Sequence, residues 1–279
     1  MKKVHLIIYI ALMGVMTAVA KTPKRLLILH TNDTHSTVMP LHKNLADTSK
    51  ADRGGFLRRE AMVRDERAND PQLLLLDSGD FSQGSAFYSL YKGDVEVELM
   101  NRMGYDAATI GNHEFDFGLD NMARIFRLAK FPIVCANYDF SGTVAEGTVK
   151  PYIVLKRKGV KIGIFGLAPK MEGLVSPKNC VGVKYLDPGE TAVKMVDVLR
   201  NKEKVDVVVC LSHLGWDTTA QNDPEMLRAA SGIDLVLGGH SHTYMKQLEY
   251  APDKTGRRVP VDQNGKHGIW VGRIEVEVK

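Results

Sequence analysis

No two cysteines in this sequence stand at the short spacing of a zinc site. Cys135, Cys180 and Cys210 are scattered, which excludes a Cys-type structural metal site. Their odd number leaves at least one thiol unpaired within the chain even in an oxidising compartment. Cys135 and Cys210 close apolar runs and are expected as small buried hydrophobes. Long basic runs are also missing, and the formal net charge is only +4, so a nucleic-acid polymer is not an expected partner. No linker, repeat or low-complexity segment divides the chain. Residues 41–53 and 141–150 read as surface loops at most.

An apolar run long enough to span a bilayer, ~20 residues, is missing as well. Residues 6–16 form a shorter one. It follows Lys2 and Lys3 and precedes Ala18-Val19-Ala20, the pattern of a cleaved secretory signal. Residues 1–20 are therefore expected to be removed, leaving a secreted or periplasmic protein with no stable membrane insertion. No cysteine lies near the cleavage site, which argues against a lipoprotein. Loss of Lys2 and Lys3, with no acid in the segment, lowers the formal charge from +4 to +2. The remainder, with 44% hydrophobic and 25% charged residues overall, has the composition of an ordinary globular protein.

What is present is alternation. Apolar β-type runs occur at 26–29, 73–76, 107–110, 133–135, 205–211 and 235–237. Amphipathic helix candidates lie between most of them, at 56–67, 95–103 with Asp94 as N-cap, and 119–130. Asp187-Pro188-Gly189-Glu190 reads as N-cap, N1 proline and capping-box glutamate for a helix to Arg200. Such alternation predicts largely parallel sheet with helices outside. Two places break it. Residues 152–156 and 161–165 read as a β-hairpin, and the tail at 245–250 and 269–278 is strand-like. A second sheet with antiparallel strands follows.

Polar groups collect directly after the apolar runs. Residues 26–29 lead to His30-Thr31-Asn32-Asp33-Thr34-His35, and 73–76 lead to Asp77-Ser78-Gly79-Asp80. Residues 107–110 lead to Gly111-Asn112-His113, 205–211 to Ser212-His213, and 235–237 to Gly238-Gly239-His240-Ser241-His242. Parallel strands bring those ends to one sheet edge, where ligands bind in open α/β sheets. In extended chain, residues two apart point the same way, so Asp33 with His35, and His240 with His242, can face a common ion or two adjacent ones. Seven candidates emerge: Asp33, His35, Asp80, Asn112, His213, His240 and His242. They are too many for one ion and suit two, with Asp80 bridging. Mixed imidazole and carboxylate donors favour zinc, manganese or iron over calcium. Two divalent ions against two aspartates leave a surplus of about two positive charges, which favours an anion such as phosphate. A pair of ions ~3.5–4 Å apart can activate water and clamp both oxygens of an in-line displacement. His113, beside the cluster, is then free to stabilise the phosphoryl charge or protonate the leaving group, with Asp116 orienting it. His30 is assigned a supporting role, and His42 and His267 are placed in solvated polar loops.

These residues resemble the calcineurin-like metallophosphoesterases, and within them the 5′-nucleotidase family. The resemblance rests on the opening stretch from Leu26 to Ser36, on Asp77-Ser78-Gly79-Asp80, on Gly111-Asn112-His113-Glu114-Phe115-Asp116, on Ser212-His213 and on Gly239-His240-Ser241-His242. It implies a four-layer α/β/β/α sandwich with two mixed sheets. It implies that Asp33, His35, Asp80 and His242 hold one ion, that Asp80, Asn112, His213 and His240 hold the other, and that His113 and Asp116 form the catalytic dyad. The expected protein is a single catalytic domain over 21–279, without the family's C-terminal nucleotide-binding domain. The expected activity is hydrolysis of phosphate monoesters, nucleotides foremost. A cyclic-nucleotide or nucleotide-sugar phosphodiesterase, a thiosulfate-ester hydrolase and a non-catalytic metal-holding subunit are the alternatives. Substrate contacts are expected from a separately encoded chain, or else from the loops at 41–53 and 81–92, the latter with Phe87, Tyr88 and Tyr91.

Overall fold

The computed structural model describes residues 23–218 and 221–278; the expected signal segment lies outside them. Two mixed sheets face each other. The first has the order β12-β1-β2-β3, with β1 at Lys24–Thr31, β2 at Leu74–Asp77, β3 at Ala107–Ala108 and β12 at Gly272–Val278. Strands β1, β2 and β3 are parallel, and β12 pairs with β1 antiparallel. The second has the order β10-β11-β9-β8-β6-β5. It is built from β5 (Tyr152–Arg157), β6 (Val160–Leu167), β8 (Val207–Ser212), β9 (Leu235–Leu237), β10 (Glu249–Pro252) and β11 (Arg258–Asp262). Its centre is parallel, and the hairpins β5–β6 and β10–β11 are antiparallel. A small pair, β4 (Tyr138–Asp139) and β7 (Lys184–Tyr185), stands apart.

The layering follows from side-chain alternation in β1. Leu26 and Ile28 join Leu74, Leu76, Ile162, Val209 and Leu237 in a core between the sheets. Leu27 and Leu29 turn the other way, with Leu73 and Leu75, onto α1 (Phe56–Asn69), α3 (Asp94–Met103) and α4 (Gly118–Leu128). Strand β8 does the same on the far side: Val208 and Cys210 pack with α5 (Pro188–Asp197) and α6 (Asp223–Ala229). Strands buried on both faces read as continuous apolar runs, which is why these were visible in the sequence. The result is the expected order of helix, sheet, sheet, helix. Edge strand β12 alternates buried and exposed residues at its start, as a one-sided strand should.

Helix ends follow local chemistry. The Asp187 side chain accepts the Glu190 N–H at 2.9 Å, with Pro188 in the first turn. Regular α-helix ends at Asp197, and residues 198–202 continue it as a wider π-type turn, so the helical segment reaches past Arg200. The N-cap of α3 is Gly93 at φ 102°, not Asp94, which is its first residue. Helix α2 (Ala86–Tyr91) is capped by Ser85, whose oxygen accepts the Tyr88 N–H. Its Tyr88 is buried, with its hydroxyl donating to His113 O at 3.2 Å, while Tyr91 is exposed.

Other expectations changed. Residues 133–135 make single bridges to Ala108 and Lys150 instead of a ladder. The Ala136 N–H then bonds Gly166 O in β6 at 2.8 Å, so this segment ties the two sheets together. Strand β11 was missed because Pro260 lies inside it and Arg258 opens it; a proline within a run argues against a strand, yet here it sits opposite Tyr250 in the β10 pairing. All three cysteines are free, with Cys135 and Cys210 buried, so no intrachain disulfide forms. Among the described residues, no helix is long and apolar enough to cross a membrane.

Gly166 faces this junction. A Cβ there would collide with the Val134 carbonyl oxygen and the Thr109 hydroxyl, which are themselves hydrogen-bonded at 2.7 Å. Gly166→Ala should lower unfolding stability by about 1–3 kcal/mol through overpacking. A denaturant midpoint equal to that of the wild type would show that the junction yields.

Candidate metal centre

The loops after β1, β2, β3, β8 and β9 meet at one edge, held mainly by backbone bonds. Asp33 N–H bonds Gly79 O at 2.9 Å, and His35 N–H bonds Asp80 O at 3.0 Å. His240 N–H reaches the Asp33 carboxylate at 3.0 Å. Glycines make the close approach possible. A Cβ on Gly111 would collide with the Asp80 carboxylate, and one on Gly239 would lie 2.8 Å from His213 Nδ1. Five of the seven candidate ligands, Asp33, His35, Asp80, His240 and His242, have positive φ between 43° and 70°. Non-glycine residues adopt this conformation uncommonly, and such strain concentrates at functional sites.

The donor atoms form three overlapping groups: Asp33, His35 and His242; Asp80, His213 and His240; and His35, Asp80 and His113. Within each, the atoms lie within 4.8 Å of one another. His242 Nε2 is 3.3 Å from Asp33 Oδ1 and 3.0 Å from His35 Nε2. His213 Nε2 is 3.1 Å from Asp80 Oδ2 and 3.8 Å from Asp33 Oδ1. The clusters are therefore contiguous, and Asp80 belongs to two of the groups. Asn112 lies beside them in the chain with its side-chain oxygen buried and without a hydrogen-bond partner.

These residues fit divalent cations. His213 Nδ1 lies 2.6 Å from Ser78 O and donates to it, so Nε2, 3.1 Å from Asp80 Oδ2, is the nitrogen that a metal would bind in place of a proton. This is the usual way an outer hydrogen bond fixes a metal-binding imidazole. Burial disfavours charge on His213, yet Asp80 and Asp33 outweigh it and move its pKa up to about 10. Burial alone would raise Asp80; the His213 imidazole holds it well below the usual carboxylate range instead. A buried negative site that draws a proton this strongly draws a metal cation by the same field. Burial lowers His35, and lowers His240 to about 4, so both present neutral imidazoles.

His113 and Asp116 stand at the open side. His113 Nδ1 is 3.0 Å from Asp116 Oδ2, and the His113 backbone N–H donates to Asp80 Oδ1 at 2.9 Å. Burial opposes charge on His113, but the Asp116 hydrogen bond and the Asp80 field leave its pKa raised overall. His30 bonds Asp262 at 2.8 Å inside the protein, as a support. His42 is exposed.

Two participants escaped the sequence reading. Glu114 is fully buried and accepts N–H groups from Gly111 at 2.6 Å, Asp80 at 3.1 Å and Ser82 at 3.1 Å. It ties the loop after β3 to the loop after β2. Burial, then the Asp80 charge, raise its pKa to about 7. Its position within Gly-Asn-His-Glu was the available signal. His267, expected in solvent, instead sits half-buried at the site. Its N–H bonds Asp33 O at 2.7 Å, and its ring centroid is 5.9 Å from that of His35. Nearby glycines on both sides, Gly265 and Gly268, were the clue.

Two facing mixed sheets, helices outside, and carboxylates and imidazoles gathered beyond the strand ends define the architecture of a metal-dependent phosphoesterase. The chain belongs to the calcineurin-like phosphoesterase family, whose pattern matches residues 26–244. It is 33% identical over 279 residues to snake venom 5′-nucleotidase of Gloydius brevicauda, covering 93% of this chain and 46% of that protein. It is 30% identical over 283 residues to the trifunctional nucleotide phosphoesterase protein YfkN of Bacillus subtilis (strain 168), covering 90% of this chain and 18% of that protein. The 5′-nucleotidase precursor of Thermus thermophilus superposes with a TM-score of 0.81 at 33% identity, over 91% of this chain and 51% of that one. This chain thus spans about half or less of the length of these relatives.

Glu114→Gln should disturb the site without touching a ligand. An amide nitrogen would face backbone donors, and leaving a buried donor unpaired costs about 1–3 kcal/mol. The metal-free variant should unfold at lower denaturant by that amount. An unchanged midpoint would mean that Glu114 does not hold the loops.

Proposed function

We propose that the chain is a secreted dinuclear-metal phosphoesterase that hydrolyses phosphate monoesters, with 5′-nucleotides as the foremost substrates. The observation that carries this reading is the contiguous donor cluster, in which Asp80 is grouped with His213 and His240 on one side and with His35, itself grouped with Asp33 and His242, on the other. In this reading Asp33, His35, Asp80 and His242 hold one ion, and Asp80, Asn112, His213 and His240 hold the second. Two divalent ions there would supply Lewis-acid charge and an acidified water. The names of the relatives support a nucleotide as substrate.

His113 has a different task. Its Nδ1 is engaged by Asp116, which fixes the ring and leaves Nε2 to donate a proton to the leaving oxygen or a hydrogen bond to the phosphoryl group. The raised pKa keeps that proton available towards neutral pH. Strained loop backbone and the Glu114 bonds hold the cluster in place before substrate arrives, so little reorganisation accompanies reaction.

His113→Ala separates this role from ligation, since His113 also lies close to His35 and Asp80. The variant should retain its metal and lose about 10²–10⁴-fold in kcat. Loss of metal along with activity would make His113 a ligand. The phosphoesterase reading itself is tested by turnover of AMP and of glycerol 2-phosphate with manganese, against a metal-free control. No turnover of either would leave a metal-holding subunit. AMP preferred by the chain alone would remove the need for a separate recognising chain; weak, unselective turnover that sharpens with a candidate partner would support one.

A further inference from the structure

Glu96 is a carboxylate buried on α3 beside Val97, Met100 and Met103. A charge in such a place is costly unless it is hydrogen-bonded, and nothing in the chemistry proposed above uses it. We infer that Glu96 is a positioning residue of the metal centre. Through Ser36 it holds the turn that presents His35, and through Ser85 it joins that turn to the helix that touches His113. The inference rests on the metal-binding part of the reading above and deepens it.

The path is continuous. The Ser36 hydroxyl donates to Glu96 Oε1. A hydroxyl has one proton, so towards Ser85 Oγ, 2.5 Å away, Ser36 can only accept. Ser85 in turn accepts the Tyr88 N–H at 3.3 Å as the N-cap of α2. Tyr88 then donates its hydroxyl to the His113 carbonyl oxygen at 3.2 Å. The carboxylate thereby sets the direction of both serine hydroxyls, in a path from α3 to the His35 turn and to the His113 loop.

The turn requires such a hold. His35 and Ser36 are consecutive non-glycine residues at φ 43° and 49°, and strain of this kind persists only where the surroundings determine it. Backbone bonds tie the turn to the loop after β2, with Ser36 N–H on Phe81 O at 2.9 Å. The Ser36 side chain ties it to the helix layer. Burial raises the Glu96 pKa, and the Ser36 hydrogen bond is the contact that most opposes this. Glu96 Oε2 has no hydrogen-bond partner among the described residues, so carboxylate and hydroxyl depend on each other. His35 Nε2 stands 3.0 Å from His242 Nε2. A shift of the turn therefore spoils the group of Asp33, His35 and His242 and spares the group of Asp80, His213 and His240.

The test titrates cobalt(II) into the metal-free protein and follows its visible absorption, for the wild type, Glu96→Ala, Glu96→Gln and Leu99→Ala. Glu96→Ala should weaken one cobalt step about 10–100-fold, the usual cost of losing an outer partner of a metal ligand, and leave the other step near wild type. Glu96→Gln keeps an oxygen that accepts from Ser36 and should recover most of the loss. Leu99→Ala removes partly buried packing from the same helix and should lower the denaturant midpoint without changing either step. If Glu96→Ala does not fold, Ser36→Ala takes its place with the same expected weakening. Unchanged cobalt steps in Glu96→Ala or its replacement, equal weakening of both steps, or the same weakening in Leu99→Ala would overturn the inference and leave the metal centre standing. A wild type that binds no cobalt would discard the metal centre itself. Selective weakening in a chain that hydrolyses neither AMP nor glycerol 2-phosphate would uphold the positioning role and remove only the phosphoesterase reading.

Discussion

Asp80 presents one carboxylate oxygen to the His113 backbone N–H and the other to the His213 imidazole, almost without access to water. It is the place where the loops from both sheets are joined electrostatically: Asp80 follows β2 in the first sheet, and His213 follows β8 in the second. A buried charge is costly unless it is paired and hydrogen-bonded. The surroundings are built to meet that requirement. Gly111 has no side chain to block the approach, and Glu114 fixes the Asp80 backbone from below. The two sheets must pack with this edge in register, or the charges lose their partners.

The cost of the arrangement appears in the backbone. Asp33, His35, Asp80, His240 and His242 all hold left-handed conformations, and an extended chain would have directed their side chains elsewhere. Residues two apart in sequence converge here through tight turns and not through strand alternation. Such positions persist only where the surrounding structure determines them. The buried apolar core between the sheets, contributed by both, supplies that determination. The gain is a preformed cluster whose imidazoles are neutral or hydrogen-bonded in the orientation that ligation needs.

Much of this was legible in the sequence, for a physical reason. Central strands β1, β2, β8 and β9 are buried on both faces, so each reads as an apolar run, and every candidate donor except Asn112, which follows β3, stands shortly after one. Their alternation with amphipathic segments placed helices outside the sheets; the four-layer order came with the family resemblance. What was hidden depends on contacts between distant segments. Glu114 gains its role only when the loop after β2 folds over it. His267 lies among polar residues, and only the bond from its N–H to Asp33 O brings it to the site. Strand β11 contains Pro260 and opens with Arg258, so its pattern is that of a turn, and pairing with β9 and β10 overrides it. The convergence of Asp33 with His35 was foreseen from an extended chain; the convergence is real, but the backbone that produces it is a turn.

The central claim is that two ions share Asp80. It is tested most directly by counting divalent metal per chain in the purified protein and in Asp80→Asn and Asp33→Asn. The account predicts two ions in the wild type, loss or weakening of both in Asp80→Asn, and loss of mainly one in Asp33→Asn. A single ion in the wild type, or equal loss of one ion in each variant, would contradict it.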